Sequence, residues 1–173
     1  MLRLVPALLA GLAVLAAAGC GRPQATVQDL PRGPLSKGDY VHAFEISAAG
    51  LAQRYLAGTE LGAHPTPAEQ DRHIAGLQRL LRAWSARLAA LRPPAEAARA
   101  QVRFVAGVRG FAADLDRARA ALRRGDGAGA DRLLASGAIV SAGTRADLVA
   151  ARRAYHRLGY DIRNLDRTPV ATP

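Results

Sequence analysis

Apolar residues recur along this chain at intervals of three and four, the spacing of one helix face, in four separate segments. The first is predicted from about Lys37 to Ala57, with Tyr40, Phe44, Ser47, Leu51 and Tyr55 on one face. Ser36 suits its N-cap, Asp39 places a carboxylate near the unpaired amides of the first turn, and Gly58 closes it. The second opens on Thr66-Pro67-Ala68-Glu69, a capping box with proline at the first helical position. Its stripe of Ile74, Leu77, Leu81, Trp84, Leu88 and Leu91 is the seam of a helix packed on others, and Pro93-Pro94 ends it.

The third segment is predicted from Pro94 to about Arg124, striped by Phe104, Val108, Phe111, Leu115, Ala118 and Leu122, with Gly125 as its stop. The fourth follows Asp126 as N-cap and runs to Leu158, through Leu134, Gly137, Ser141, Thr144, Leu148, Ala151 and Tyr155. Gly137 and Gly143 are points where it would bend or split, and Gly159 suits the position just past its end.

Short connections between long helices imply antiparallel neighbours. The expected fold class is all-α: an antiparallel up-down-up-down four-helix bundle over residues 36–160, with 161–173 as a C-terminal tail. A helical hairpin pair that assembles with a second chain is the alternative. Composition agrees: half of the residues are apolar, only 5% are aromatic, alanine is the commonest apolar residue and β-branched residues are scattered. The formal charge of +10 rests almost wholly on arginine, Lys37 being the single lysine. Such a surface favours anionic partners, lipid headgroups or acidic wall polymers among them.

The N-terminus has its own pattern. Met1-Leu2-Arg3 is short and positive, and Leu4 to Ala18 is an apolar run of 15 residues interrupted only by Pro6 and Gly11. That is short for a transmembrane helix and fits a signal peptide. The run ends in Ala17-Ala18-Gly19-Cys20, and Cys20 is the only cysteine, so no disulfide forms within the chain. Residues 21–34 are rich in Pro and Gly and read as an extended tether.

Leu15-Ala16-Ala17-Ala18-Gly19-Cys20 resembles a bacterial lipobox. The resemblance implies removal of residues 1–19, diacylglyceryl attachment at the Cys20 sulfur, and a tether over 20–35. Two or more buried acyl chains, at about 0.8 kcal/mol per methylene, hold a protein stably at a bilayer. Ala17 stands where that pattern usually has leucine, and Ala16-Ala17-Ala18 also satisfies an Ala-x-Ala rule for ordinary secretion.

Leu35-Ser36-Lys37-Gly38-Asp39-Tyr40-Val41, Leu91-Arg92-Pro93-Pro94-Ala95 and Leu158-Gly159-Tyr160 together resemble uncharacterised helical lipoproteins of high-GC Gram-positive bacteria. Those proteins carry a cysteine pair whose nearest positions here are Ala48 and Arg163, so the bridge is absent. The resemblance implies fold and location, with no activity to carry over.

A search for chemistry returns little. The Glu-x-x-His pairs of di-metal bundles, a Cys-x-x-Cys-His haem site, a Gly-x-Ser-x-Gly elbow, His-Glu-x-x-His and a Walker loop are all missing from the sequence. In an antiparallel bundle Asp39, His42, His156 and Asp161 would share one end, and His64, Glu69 and His73 the other. Histidine with carboxylate suits zinc or another divalent ion, but this spacing on separate helices is no metal signature, and exposed histidines near helix ends are the expected reading. Trp84 is expected in the core, and Tyr40, Tyr55 and Tyr155 are expected to pack with hydroxyls at the bundle rim. Arg123-Arg124 and Arg152-Arg153 read as solvated helix surface.

The expectation is a non-catalytic lipoprotein on the extracytoplasmic face of the cell membrane, held by lipid on Cys20. It would act as an interaction or structural module toward an envelope protein or anionic wall polymer. Nucleic acid is not an expected partner, and no cofactor or metal is assigned. The alternative is a lipoprotein that binds a small molecule or metal ion between its helices.

Overall fold

The computed structural model describes residues 33–58, 65–163 and 165. The leader, Cys20, most of the tether and His64 lie outside the described residues. Those described form α1 (Lys37–Ala57), α2 (Pro67–Ala90), a 3-10 turn (Ala95–Ala97), α3 (Ala98–Asp114), α4 (Asp116–Arg123), α5 (Gly127–Ala135) and α6 (Ala142–Arg157), with no strand among them.

Each cap is a local sequence device. Ser36 Oγ accepts the Asp39 amide at 3.2 Å, and the Thr66–Glu69 capping box closes in both directions, at 3.3 Å and 2.8 Å. Asp126 Oδ1 accepts from Gly129 N and Ser141 Oγ from Thr144 N, which starts α5 and α6. At the opposite ends Gly125 and Gly159 take φ of 78° and 67°, the left-handed conformation that only glycine adopts without strain. Behind Gly159, the Tyr160 amide bonds the Tyr155 carbonyl at 3.0 Å and that of Gly159 bonds His156 at 2.9 Å, both bonds of a Schellman motif.

Long-range contacts set neighbours antiparallel. Leu35 N–H donates to Arg92 C=O at 2.8 Å beside the start of α1, while Tyr55 and His73 meet where α1 ends and α2 begins. Gln101 of α3 donates to the Leu88 and Leu91 carbonyls of α2, and Gln78 of α2 donates to Ala112 of α3. On the other side α3 packs against α6 at its two glycines. A methyl group at Gly107 would lie 2.6 Å from Leu148 Cγ, and one at Gly110 would strike the Thr144 hydroxyl. Small residues here let the two backbones approach closely, which α1 does not do with α6. There the space is filled by rings: Tyr40, Phe44, Trp84, Phe104, Tyr155 and Tyr160 form one connected cluster, with Phe44 and Phe104 centroids 5.1 Å apart.

Several boundaries differ from the sequence expectation. The third segment is not one helix from Pro94: the 3-10 turn precedes it, and it breaks at Leu115 into α3 and α4. The fourth splits at Gly137, with φ 68°, one of the two glycines expected to bend or split it, and restarts at Ser141. The two breaks meet, since Asp114 Oδ2 accepts the Ser141 amide at 2.8 Å and Arg117 donates to the Ile139 carbonyl. Side chains flanking the Leu115 break thereby satisfy backbone groups freed by the Gly137–Ser141 break. The tail expectation also needs correction, because Ile162 and Leu165 are buried with Tyr160 in the core. At the other end Leu35, read as the last tether residue, is buried as well.

Candidate functional site

Cys20, the expected lipidation residue, lies outside the described residues. The histidines do not assemble a metal centre: among the described residues no three of His, Cys, Asp and Glu come together. Asp39 turns to the Ser36 cap, with which it shares a 2.6 Å hydrogen bond, and Glu69 is held by Thr66. His42, His156 and Asp161 are exposed. His73 sits 3.3 Å from the Tyr55 hydroxyl, and burial lowers its pKa, so the neutral ring is favoured.

The tyrosine hydroxyls also depart from expectation. Tyr40 and Tyr155 are fully buried and bond each other rather than reaching the rim. Burial pushes Tyr40 up to about 12, and Tyr155 higher still, so the pair is locked neutral. Trp84 packs in the core as its place on the stripe predicts. None of these side chains faces an open cavity among those described.

A polar seam between α2 and α4 was not visible in the sequence. Gln78 is 1% exposed, donates to Ala112 C=O and Asp116, and accepts from Arg119. Arg119 in turn grips both oxygens of Asp71, with Arg123 alongside at 3.5 Å. The guanidinium beside Asp71 holds its carboxyl below the usual carboxylate range. From buried Gln78 outward to exposed Arg123, the seam ties α2 to α3 and α4.

Besides a smaller groove of about 330 Å³ between α4 and α5, one of about 490 Å³ opens between the start of α3 and the end of α6. Ala100, Ala150 and Ala154 leave space along it, and Arg99, Arg103, Arg153 and Arg157 line it. Arg99 and Arg103 come from the α3 wall, Arg153 and Arg157 from the α6 wall. Along each helix the two arginines are four residues apart, a spacing at which like charges repel. None of the four joins a salt bridge or side-chain hydrogen bond among the described residues.

One carboxylate, Glu96, lies in the groove, and it accepts the Tyr160 hydroxyl at 2.9 Å. Burial first, then Glu96, pushes Tyr160 up to about 12. Lys37 Nζ stands 4.8 Å over the Tyr160 ring and donates to Leu158 C=O at 2.9 Å. The groove therefore adjoins the point where the chain enters α1.

Comparison with protein-family models, curated proteins and solved structures returned no match.

Proposed function

We propose that this chain is a lipid-anchored, non-catalytic module of the bacterial envelope. It is held at the extracytoplasmic membrane face through acyl chains on Cys20. Its helices form an up-down-up-down bundle in which α3 with α4, and α5 with α6, make the third and fourth legs. The observation that carries the reading is in the sequence: the lone cysteine follows Ala18-Gly19 at the end of a 15-residue apolar run. A lone cysteine has no disulfide partner within the chain, whereas a thioether to diacylglycerol gives its sulfur a use.

Other observations are compatible with that role. No helix among the described residues is long and apolar enough to cross a membrane, so the reading places membrane attachment in the lipid. Leu35, buried at 4% exposure and bonded to Arg92, secures the chain where it joins the bundle. The surviving positive surface suits acidic wall polymers or an acidic face of another envelope protein.

The test is expression of the chain in a lipoprotein-processing bacterium, followed by mass analysis of the N-terminal peptide. The expected product begins at Cys20 and carries acyl mass; Cys20→Ala leaves the precursor uncut or frees it from the membrane fraction. An unacylated sulfhydryl at Cys20, or unchanged membrane retention of the variant, refutes the proposal.

A further inference from the structure

The geometry points to the α3–α6 groove as a binding site for phosphate oxyanions, held by Arg99 and Arg103 from α3 and Arg153 and Arg157 from α6. Guanidinium groups are planar forks that match phosphate oxygens two at a time. Four of them around one open groove, lacking carboxylate partners among the described residues, form a site short of negative charge. Four arginines outside the groove do meet carboxylates: Arg119 and Arg123 share Asp71, Arg117 meets Asp114 and Arg163 meets Glu45. What distinguishes the groove is that four guanidinium-bearing residues line one concavity. Arg99 lies in the first turn of α3, where the helix field disfavours a cation, and the nearest carboxylate along the chain, Glu96 in the 3-10 turn just before it, is bonded to Tyr160. An oxyanion there would meet both the α3 N-terminal field and the guanidinium forks.

The floor fits the same ligand. Alanines leave width between the two arginine-bearing walls, and the one carboxylate is occupied by Tyr160. Two sources supply this chemistry: phosphate headgroups of an anionic bilayer, and phosphate free in solution. Lys37, three residues on from Pro34, bonds Leu158 at the groove rim, so the groove shares an end with the incoming chain. Only the bilayer source rests on the anchoring proposal; the oxyanion site itself goes beyond it.

The experiment uses the full chain in neutral detergent micelles and follows arginine modification by phenylglyoxal, residue by residue, through peptide mass spectrometry. One arm adds phosphatidylglycerol, a second adds inorganic phosphate, and a third adds sodium chloride at matched ionic strength. Arg99, Arg103, Arg153 and Arg157 are expected to slow together, about threefold at ligand twice its dissociation constant. Exposed Arg79 and Arg82 on α2 are the reference and should not slow. Protection with phosphatidylglycerol alone assigns the ligand to headgroups, and equal protection by inorganic phosphate assigns it to the free ion. In Arg103→Gln/Arg153→Gln, with helix content checked by circular dichroism, protection of Arg99 and Arg157 should fall. No protection in either phosphate arm, or equal slowing at Arg79 and Arg82, overturns the site. The same digests report the mass of the Cys20 peptide, so a failed anchor is read separately from a failed groove.

Discussion

The hydroxyl oxygens of Tyr40 and Tyr155 lie 2.6 Å apart, and each of these two residues is fully removed from solvent. One donates and the other accepts, so each is the answer to the other's burial. Tyr40→Phe or Tyr155→Phe strands one hydroxyl and should cost about 1–3 kcal/mol. Removing both should cost less than the two singles combined, because no polar atom is then left unpaired. Urea unfolding of the two singles and the double closes this cycle, and strictly additive losses would refute the coupling.

Alkaline stability follows from the same burial. Tyr40, Tyr55 and Tyr160 are each pushed to about 12, and Tyr155 above that range, from an ordinary 10.0. The unfolded chain sheds these protons first, so the stabilisation is complete below pH 10 and is lost as pH rises toward 12. Tyrosinate absorbance and helix ellipticity, followed together, should therefore change in one step. Ionisation complete near 10 with the helices intact would contradict it.

Glycine substitutions should split by sign. Gly107→Ala places a methyl 2.6 Å from Leu148 Cγ and should destabilise by about 1–3 kcal/mol through overpacking. Gly50, in the middle of α1, has nothing within 4 Å of the added carbon, so Gly50→Ala should stabilise by up to about 1 kcal/mol. Melting temperatures moving in opposite directions would confirm the contrast.

His73 gives a weaker acid dependence. Burial lowers its pKa, so the unfolded chain takes up the proton from about 6.5 downward while the folded chain resists it. Stability should decline as pH falls below 6.5, and His73→Gln should flatten that decline. Unfolding midpoints between pH 7 and 5, spanning about the ordinary histidine value, are the readout.

The helix limits that read well from sequence are those carried by short-range chemistry. Ser36, the Thr66–Glu69 box, Gly125 and Gly159 each act within a few residues, and each stands where its local signal puts it. Gly137 itself marks the split, but the restart at Ser141 is harder to read, because Gly137, Ser141 and Thr144 continue a three-and-four spacing and imitate an unbroken stripe. Ser141 was in fact a cap, and the signal was its hydroxyl three residues before Thr144. Ile162 and Leu165, also three apart, were the overlooked sign that packing continues past Gly159.

Contacts between distant segments were not legible at all. Gln78 and Gln101 look like surface residues until α3 supplies or receives their partners. Arg152-Arg153 likewise looked like solvated surface, yet Arg153 lines the groove while Arg123, from the other flagged pair, leans on Asp71. Which arginine has a carboxylate to meet depends on helix packing: α4 sets Arg119 and Arg123 against Asp71 of α2, while α3 and α6, in contact at Gly107 and Gly110, bring arginines to the walls of one groove.

The Leu35–Arg92 bond has a mechanical consequence. Tension arriving along the N-terminal chain reaches the corner between α2 and α3 before it reaches the rungs of α1. A load applied at a corner is shared by two helices and a pair of prolines, Pro93 and Pro94, instead of unzipping one helix from its first turn. The molecule is thus braced at the place where a leash would pull.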